Sequence, residues 1–386
     1  MDKLVIIGAG EFQLPLIKKA KEMGYETHVF AWAEGAVGKD FADYFYPISI
    51  TEKEIILEQC KQINPQGIVS IGSDLAVLTV NYVARSLHLP TNPEISDVIC
   101  TNKYEMRKAF LANGIDVPKF LETKGHVEKE QLSSFTFPLI VKPTDRSGSR
   151  GITKIETYEA LDKAIQIATA YAFEKKAIIE EFIEGPEYSC ECISYQGEHT
   201  FLAFTQKYTS GAPHFIETGH VEPSNIPMDK ITAYQKEIFK ALDALHIQNG
   251  ASHCEFKIDH QGAIKIIEIG SRMGGDCIGS DLVYLSTGYD FVEMVIEVAC
   301  GKKPTLKKKK EDEYAGIKFI FDHDDIDTLR KLQRKHPETL QYVSEITEVG
   351  NHDVVDSSTR FGFYIFTTKD KACLLYTSPR PRVGAT

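Results

Sequence analysis

The stretch from His253 to Asp276 constrains the fold most. Two alternating runs, His-Cys-Glu-Phe-Lys-Ile-Asp and Ile-Lys-Ile-Ile-Glu-Ile, flank a Gln261-Gly262 turn signal. Alternation on both sides of such a turn predicts a β-hairpin. With Gln261 and Gly262 as a two-residue loop, Asp259 faces Ile264, Lys257 faces Ile266 and Glu255 faces Glu268. Directly opposed side chains have Cβ atoms about 5 Å apart, a distance at which two carboxylates repel, so a positive group is expected between them. Cys254, Phe256, Ile258, Ile267 and Ile269 form the other, apolar face. Two convergent carboxylates above an apolar face suit Mg²⁺, which takes oxygen ligands and shares them with nucleotide phosphates. The alternative is a solvated face on which Lys257 neutralises one glutamate. After Glu268, the residues Gly270, Ser271, Arg272, Gly274 and Gly275 make a small-residue loop with one fixed cation, suited to close approach of an anionic group.

A chain of 386 residues has room for two or three domains around this hairpin, and its 42% hydrophobic content is that of a globular protein. The net charge of −11 disfavours nucleic acid as a partner. No apolar run reaches the length of a membrane span, and no basic segment with an apolar stretch opens the chain, so a cytoplasmic protein without membrane attachment is expected. Eight cysteines occur without a CxxC pair, which indicates neither a zinc site nor a disulfide framework. Cys190 and Cys192 fall two apart in a strand-like run and are expected as buried thiols on one face.

The first hundred residues alternate strands (Lys3 to Gly8, Glu26 to Trp32, Gly67 to Ile71) with helices (Glu11 to Met23, Glu52 to Ile63), a βαβ series with a parallel sheet. Gly8-Ala9-Gly10 begins like a dinucleotide fingerprint, but Gln13 stands where the third small residue belongs and the acid after the second strand is missing. Ser73-Asp74 follows a strand end, the position of ligands in open α/β sheets, and equally reads as a helix N-cap. Pro90, Asn92 and Pro93 form a joint, and a helix runs from Lys103 to Ala112. Phe137 to Pro143 is a strand ending in Lys142; the loop Thr144 to Gly151 follows. The amides of Ser147, Gly148, Ser149 and Gly151 can wrap phosphate oxygens beside Lys142, although a basic surface hairpin has the same composition. This is not a Walker loop, because the lysine precedes the glycines.

Taken in order, Lys103, Val-Lys142-Pro, the Ser-Gly-Ser-Arg-Gly loop, Glu-Glu-Phe-Ile-Glu-Gly-Pro-Glu187, and paired Glu255 and Glu268 followed by Arg272 resemble the ATP-grasp carboxylate-amine ligases over residues 1 to 370, the L-amino-acid-ligase-like subgroup in particular. The resemblance implies mixed α/β and α+β architecture: a Rossmann-like pre-ATP-grasp domain (1–100), an ATP-grasp domain of two α+β subdomains with nucleotide between them (101–305), and a small C-terminal α+β lid (306–373). It implies that Lys103 and Lys142 contact ATP phosphates under the loop Ser147 to Gly151. Main chain at Glu180, Glu181, Phe182 and Ile183 would hold adenine, Glu187 the ribose, and Glu255 and Glu268 the Mg²⁺, with Mn²⁺ as a substitute. Many members carry Asn where this chain has Gly270, so the third protein ligand is open. Arg272 matches the arginine that holds the acyl phosphate and carboxylate.

The implied reaction phosphorylates a carboxylate with ATP and lets an amine displace the phosphate. Between the halves of the site, the loop Gln206 to His220 offers Lys207, Glu217 and His220 as substrate candidates: Glu217 for an ammonium group, His220 as proton acceptor. Partners are small-molecule carboxylates and amines, and the chain itself as a homodimer. The rivals are a purine-pathway or carboxylase-like member, a non-catalytic ATP-binding module, and an NAD-dependent oxidoreductase. Residues 374–386 break the pattern and read as a non-native tail.

Overall fold

The computed structural model describes residues 1–212 and 215–370, and the tail expected from residue 374 lies outside them. Three sheets carry the chain. In the first, β1 (Lys3–Ile7), β2 (Glu26–Phe30), β3 (Tyr44–Tyr46) and β4 (Gly67–Val69) lie parallel in the order β3-β2-β1-β4. Helices cover both faces, which is why these strands read as unbroken apolar runs. Leu4 and Ile6 pack on Leu16 and Ile17 of the Leu14–Glu22 helix, while Val5 and Ile7 pack on Ile56 and Cys60 of the Lys53–Ile63 helix.

The turn after β1 shows why it is no dinucleotide site. Gln13 Oε1 accepts the Gly10 amide at 3.1 Å while its Nε2 donates to the Ile71 carbonyl at 2.9 Å. The glutamine thus occupies the space, and the amide, that a pyrophosphate would need. Ser73 is an N-cap, its Oγ accepting the Ala76 amide at 3.2 Å.

The second sheet is antiparallel: β5 (Phe120–Thr123), β6 (Leu139–Pro143), β7 (Thr153–Ile155) and β8 (Ala177–Glu181) in the order β5-β8-β6-β7. Helix Leu161–Tyr171 buries Leu161, Ala164, Ile165 and Ala168 against it. The third sheet has eight strands: β9 (Glu187–Tyr195), β10 (Glu198–Thr209), β11 (Glu217–Glu222), β12 (Gly250–Ile258), β13 (Ile264–Gly270), β14 (Tyr314–Phe319), β15 (Leu340–Val343) and β16 (Phe363–Thr368). Their order is β13-β12-β9-β10-β11-β14-β16-β15, so the C-terminal strands extend the central sheet through the β11–β14 pairing. Cys190 and Cys192 are fully buried free thiols with sulfurs 3.5 Å apart, and burial pushes the Cys190 thiol well up. No helix among the described residues is long and apolar enough to cross a membrane.

β12 and β13 form the expected hairpin with a different turn. Asp259 accepts the amides of Gln261 and Ala263, both at 2.9 Å, so the connection runs over residues 259–263. Ile258 therefore pairs with Ile264, and Lys257 with Lys265, one residue off the two-residue-loop register. A bulge between Glu255 and Phe256 absorbs the offset, and Glu255 still opposes Glu268. The bulge exchanges two isoleucines: Ile266, expected opposite Lys257, is buried in the core, and Ile267, expected in the core, is only half-buried.

Glu222 on β11 is wholly buried, with the hydroxyls of Thr205 and Ser286 each donating to it at 2.6 Å. Burial pushes its carboxyl from 4.5 up to about 7 against those two hydrogen bonds, and Glu191 adds to the rise. With the folded value above the unfolded one, its contribution to stability is whole below the unfolded value and is lost as pH climbs through the folded value. In urea melts, Glu222→Gln should therefore gain on the parent by up to about 3 kcal/mol between about pH 5 and about pH 8. A difference between the two proteins that does not change with pH would refute this.

Candidate active site

One cavity of about 660 Å³ takes its walls from the second and third sheets and from the segment that follows β4, including Gly72, Ser73 and Asp74. Of the site residues expected from the sequence, every one except Gly151 lines it. Gly151 instead forms the base of the loop: at φ +70° an added Cβ would lie 2.9 Å from Tyr171 and 3.2 Å from Pro143. Ile267, turned out of the core by the bulge, also lines the cavity.

Positive groups do stand beside the opposed glutamates, and they come from other elements. Lys207, on β10, places Nζ 2.5 Å from Glu255, 3.6 Å from Glu187 and 3.8 Å from Glu217. Burial works against this ammonium, but the three carboxylates outweigh it and raise its pKa well above the usual lysine range. Lys103 opens helix Lys103–Ala112 and lies 2.7 Å from Glu268, also donating to the Arg146 carbonyl at 2.8 Å. The solvated-face alternative is overturned: Lys257 neutralises neither glutamate, because it donates to the Ile183 carbonyl at 3.1 Å and lies over the Phe182 ring.

His253 is sandwiched between Glu191, which its Nδ1 meets, and Glu255, 3.1 Å from its Nε2. Burial lowers the imidazolium pKa, and Glu191 and Glu255 more than offset this, bringing it to about 8. Burial likewise opposes ionisation of Glu255, yet Lys207 and His253 hold its carboxyl well below the ordinary range.

Whether Glu255 and Glu268 fit Mg²⁺ is decided by donor type and number. Both offer hard oxygens, but among the described residues no three His, Cys, Asp or Glu side chains gather as a metal cluster. Gly270 adds no side chain, and a Cβ there would lie 3.0 Å from Asp74 Oδ1. Two carboxylates completed by phosphate oxygens and water are a normal Mg²⁺ set, so the residues fit the ion with substrate phosphate present.

Lys142, at the end of β6, is 5% exposed and lies 2.7 Å from Glu180 Oε2. Glu180 Oε1 accepts from Arg107 Nε, and Arg107 is itself only 2% exposed. Burial would raise the Glu180 carboxyl, but Arg107 and Lys142 together hold it down to about 2. For Lys142, burial lowers the pKa, Glu180 opposes that, and Arg107 and Lys103 reinforce it, leaving it lowered. Removing one partner from such a buried group costs about 3–5 kcal/mol. Near the expected adenine segment, the amides of Glu181 and Phe182 already donate to the carbonyls of Lys119 and Pro138 at 3.1 and 3.0 Å. The loop is fastened on both sides: Ser149 Oγ donates to the Phe215 carbonyl at 3.2 Å, and Arg150 approaches Asp356 at 3.8 Å.

Arg272 meets Asp74 through two bonds, Nε to Oδ1 at 2.7 Å and Nη2 to Oδ2 at 3.2 Å, and donates from Nη1 to the Met273 carbonyl at 3.1 Å. Deeper in, Asp276 and Arg360 form a two-bond pair at 2.9 and 2.7 Å, with the guanidinium on the Phe319 ring. His220 lies beside them, 1% exposed, with Nε2 3.6 Å from Asp276 and neither ring nitrogen hydrogen-bonded among the described residues. Burial lowers its pKa and favours the neutral ring, although Asp276 works the other way. Glu217 accepts from Ser357 Oγ at 2.8 Å.

Arg107, Glu191, His253, Asp276 and Arg360 were not among the expected site residues. Arg107, His253 and Asp276 line the cavity, while Glu191 and Arg360 meet it through His253 and Asp276; every one of these pairings is with a residue distant in sequence, as the β12–β9 register sets His253 opposite Glu191. Asp74 had a local signal, its place after a strand of a parallel sheet, but the N-cap at Ser73 explained that signal equally well.

Residues 135–280 match the family described as an ATP-grasp domain. Alanine–anticapsin ligase of Bacillus amyloliquefaciens is 26% identical over 309 residues, covering 70% of this chain and 64% of that protein. The chain thus matches just under two thirds of that relative's length. The crystal structure of an L-amino acid ligase from Bacillus licheniformis superposes with TM-score 0.82 at 23% identity, covering 98% of this chain and 96% of that one. Phosphoribosylglycinamide synthetase from Anaerococcus prevotii gives TM-score 0.76 at 21% identity, covering 97% and 96%. At these identities the solved structures establish the fold, an N-terminal Rossmann-like sheet followed by the ATP-grasp.

Proposed function

We propose that this chain, which carries an ATP-grasp domain at residues 135–280, is a ligase that joins an amino-acid-like carboxylate to an amine and releases ADP and phosphate. The observation that carries the reading is a division of charge inside one cavity: two opposed glutamates on the hairpin, and a separate guanidinium, Arg272, clamped by Asp74. A carboxylate is a poor acyl donor because oxide would have to leave. Transfer of the γ-phosphoryl group from ATP converts it to an acyl phosphate, an amine adds to the carbonyl carbon, and phosphate departs with the C–O bond electrons as the amide forms. The amine's proton must go to a base, and His220, whose burial favours the neutral ring, would take it.

Lys103 and Lys142 would hold the phosphates, Glu187 the ribose, and Glu255 and Glu268 an Mg²⁺ ion, for which Mn²⁺ can substitute. The ion, when bound, supplies positive charge to the phosphate oxygens. The loop Ser147 to Gly151, braced on the Phe215 carbonyl, would keep water from the acyl phosphate. Glu217 remains a candidate for the substrate ammonium group. The relative named as an alanine–anticapsin ligase supports an amino-acid-like substrate, whereas a purine-pathway or carboxylase-like activity is supported by shared fold alone. A non-catalytic nucleotide module would not need Arg272 and Asp74 paired in the cavity. The same reading places the enzyme in the cytoplasm, acting on small molecules and not on nucleic acid or membrane, with a homodimer as its assembly.

A phosphate-release screen over amino acids, singly and in pairs, with the nucleotide products separated, tests it. ADP and phosphate in equal amounts, dependent on both carboxylate and amine, is the expected result. AMP with pyrophosphate would mean adenylation and would defeat the mechanism.

A further inference from the structure

We propose that Arg107 is a positioning residue for nucleotide binding, its buried guanidinium holding the two halves of the site in register: Lys142 through Glu180, and Glu268 through the main chain of Ile266. This rests on the reading of the cavity as an ATP site. Arg107 sits one helical turn after Lys103, so both project from the same face of the helix. On one side its Nε donates to Glu180 Oε1, while the other oxygen of that carboxylate holds Lys142 at 2.7 Å. The place of the lysine ammonium therefore depends on a carboxylate that Arg107 orients.

On the other side Nη1 donates to the Ile266 carbonyl at 3.0 Å. Ile266 lies where the hairpin register shifts, and the same helix meets the next positions too: Lys103 at Glu268, and Met106, whose sulfur accepts the Ile269 amide at 3.4 Å. A bulge re-aims side chains by interrupting the ladder, and here it turns Ile267 and Glu268 toward the cavity. Arg107 braces that segment against the second sheet, where Glu180 and Lys142 reside. An apolar side chain of similar volume would pack the helix without any buried charge. What the guanidinium adds is a planar fork with donors in two directions, one for each half of the site.

Arg107→Lys is the discriminating variant, because one ammonium cannot span both partners as the fork does. With a non-hydrolysable ATP analogue and Mg²⁺, calorimetry should show Kd raised about tenfold, the equivalent of ~1.4 kcal/mol. The KM for ATP should rise in parallel while the KM values for carboxylate and amine hold. A merely structural arginine would instead lower the melting temperature and the fraction of active sites, with analogue affinity per site unchanged, and that result overturns the proposal. If Arg107→Lys does not fold, Arg107→Gln, neutral and able to serve one partner only, carries the same test with the same two outcomes. Analogue binding is read without turnover, so the two readings fail separately. A parent that binds the analogue but forms no amide sinks the ligase and not this proposal; normal amide formation with unchanged affinity in Arg107→Lys does the reverse. A parent that does not bind the analogue sinks both.

Discussion

Arg272→Ala should bind MgATP as the parent does and lose product formation by about 100-fold or more, close to 3 kcal/mol of transition-state stabilisation. A guanidinium has five N–H donors. Two go to Asp74 and one to the Met273 carbonyl, which leaves two for a ligand. Those two belong to a group fixed before the ligand arrives, so little is spent on ordering it as charge develops on the carbonyl oxygen and the departing phosphate. Burial works against the guanidinium, and Asp74, Glu255 and Glu268 more than compensate, keeping it charged at any working pH. Asp74→Asn should show a milder loss, because the amide can still accept from Nε but no longer balances the charge. Calorimetry for MgATP and a coupled assay for ADP and amide separate binding from chemistry. An Arg272→Ala enzyme of full activity would remove this residue from the site.

The sequence made the hairpin legible because alternation and turn residues are local signals, and the same holds for the βαβ series and for the cap at Ser73. It could not show the bulge. The two-residue loop placed Glu255 opposite Glu268, and the five-residue loop with its bulge does so as well; the two schemes differ in which isoleucine is buried. Charge balance was legible in kind and not in identity. The opposed glutamates required cations, and Lys257 was the nearest in sequence, yet β10 and the Lys103 helix deliver Lys207 and Lys103. Such partners are set by strand order, and β10 reaches β12 only by way of β9. The Asp276–Arg360 pair was hidden more deeply, since its members sit on a loop with positive φ at Asp276 and on a C-terminal segment 84 residues away. The resemblance to ATP-grasp ligases picked out residues that gather in one cavity because it is carried by motif order, which needs no knowledge of strand neighbours.

Glu268→Gln should suppress the first chemical step, whatever amine is offered, and it is a cleaner test of the metal pair than Glu255→Gln. Glu255 is tied to Lys207 and His253, both buried, so neutralising it removes the nearest carboxylate of the one and one of the two that flank the other, and endangers the fold. Glu268 is partnered by Lys103 alone among ion pairs of the described residues, and Lys103 keeps a second acceptor in the Arg146 carbonyl. The glutamine preserves volume and can still accept from Lys103, so the melting temperature should stay close to that of the parent. What is lost is one of the two anionic ligands for the ion that would screen the phosphates during transfer. ADP formation should fall by about 100-fold, of the order found when a single electrostatic contact to the transition state is removed. The apparent Mg²⁺ requirement should move up with it, and excess Mg²⁺ should recover part of the rate. Hydroxylamine trapping isolates the step, because it intercepts the acyl phosphate before any amine is needed. A variant whose trapping rate and Mg²⁺ dependence match the parent would leave Glu268 as a structural partner of Lys103 and move the metal site elsewhere in the cavity.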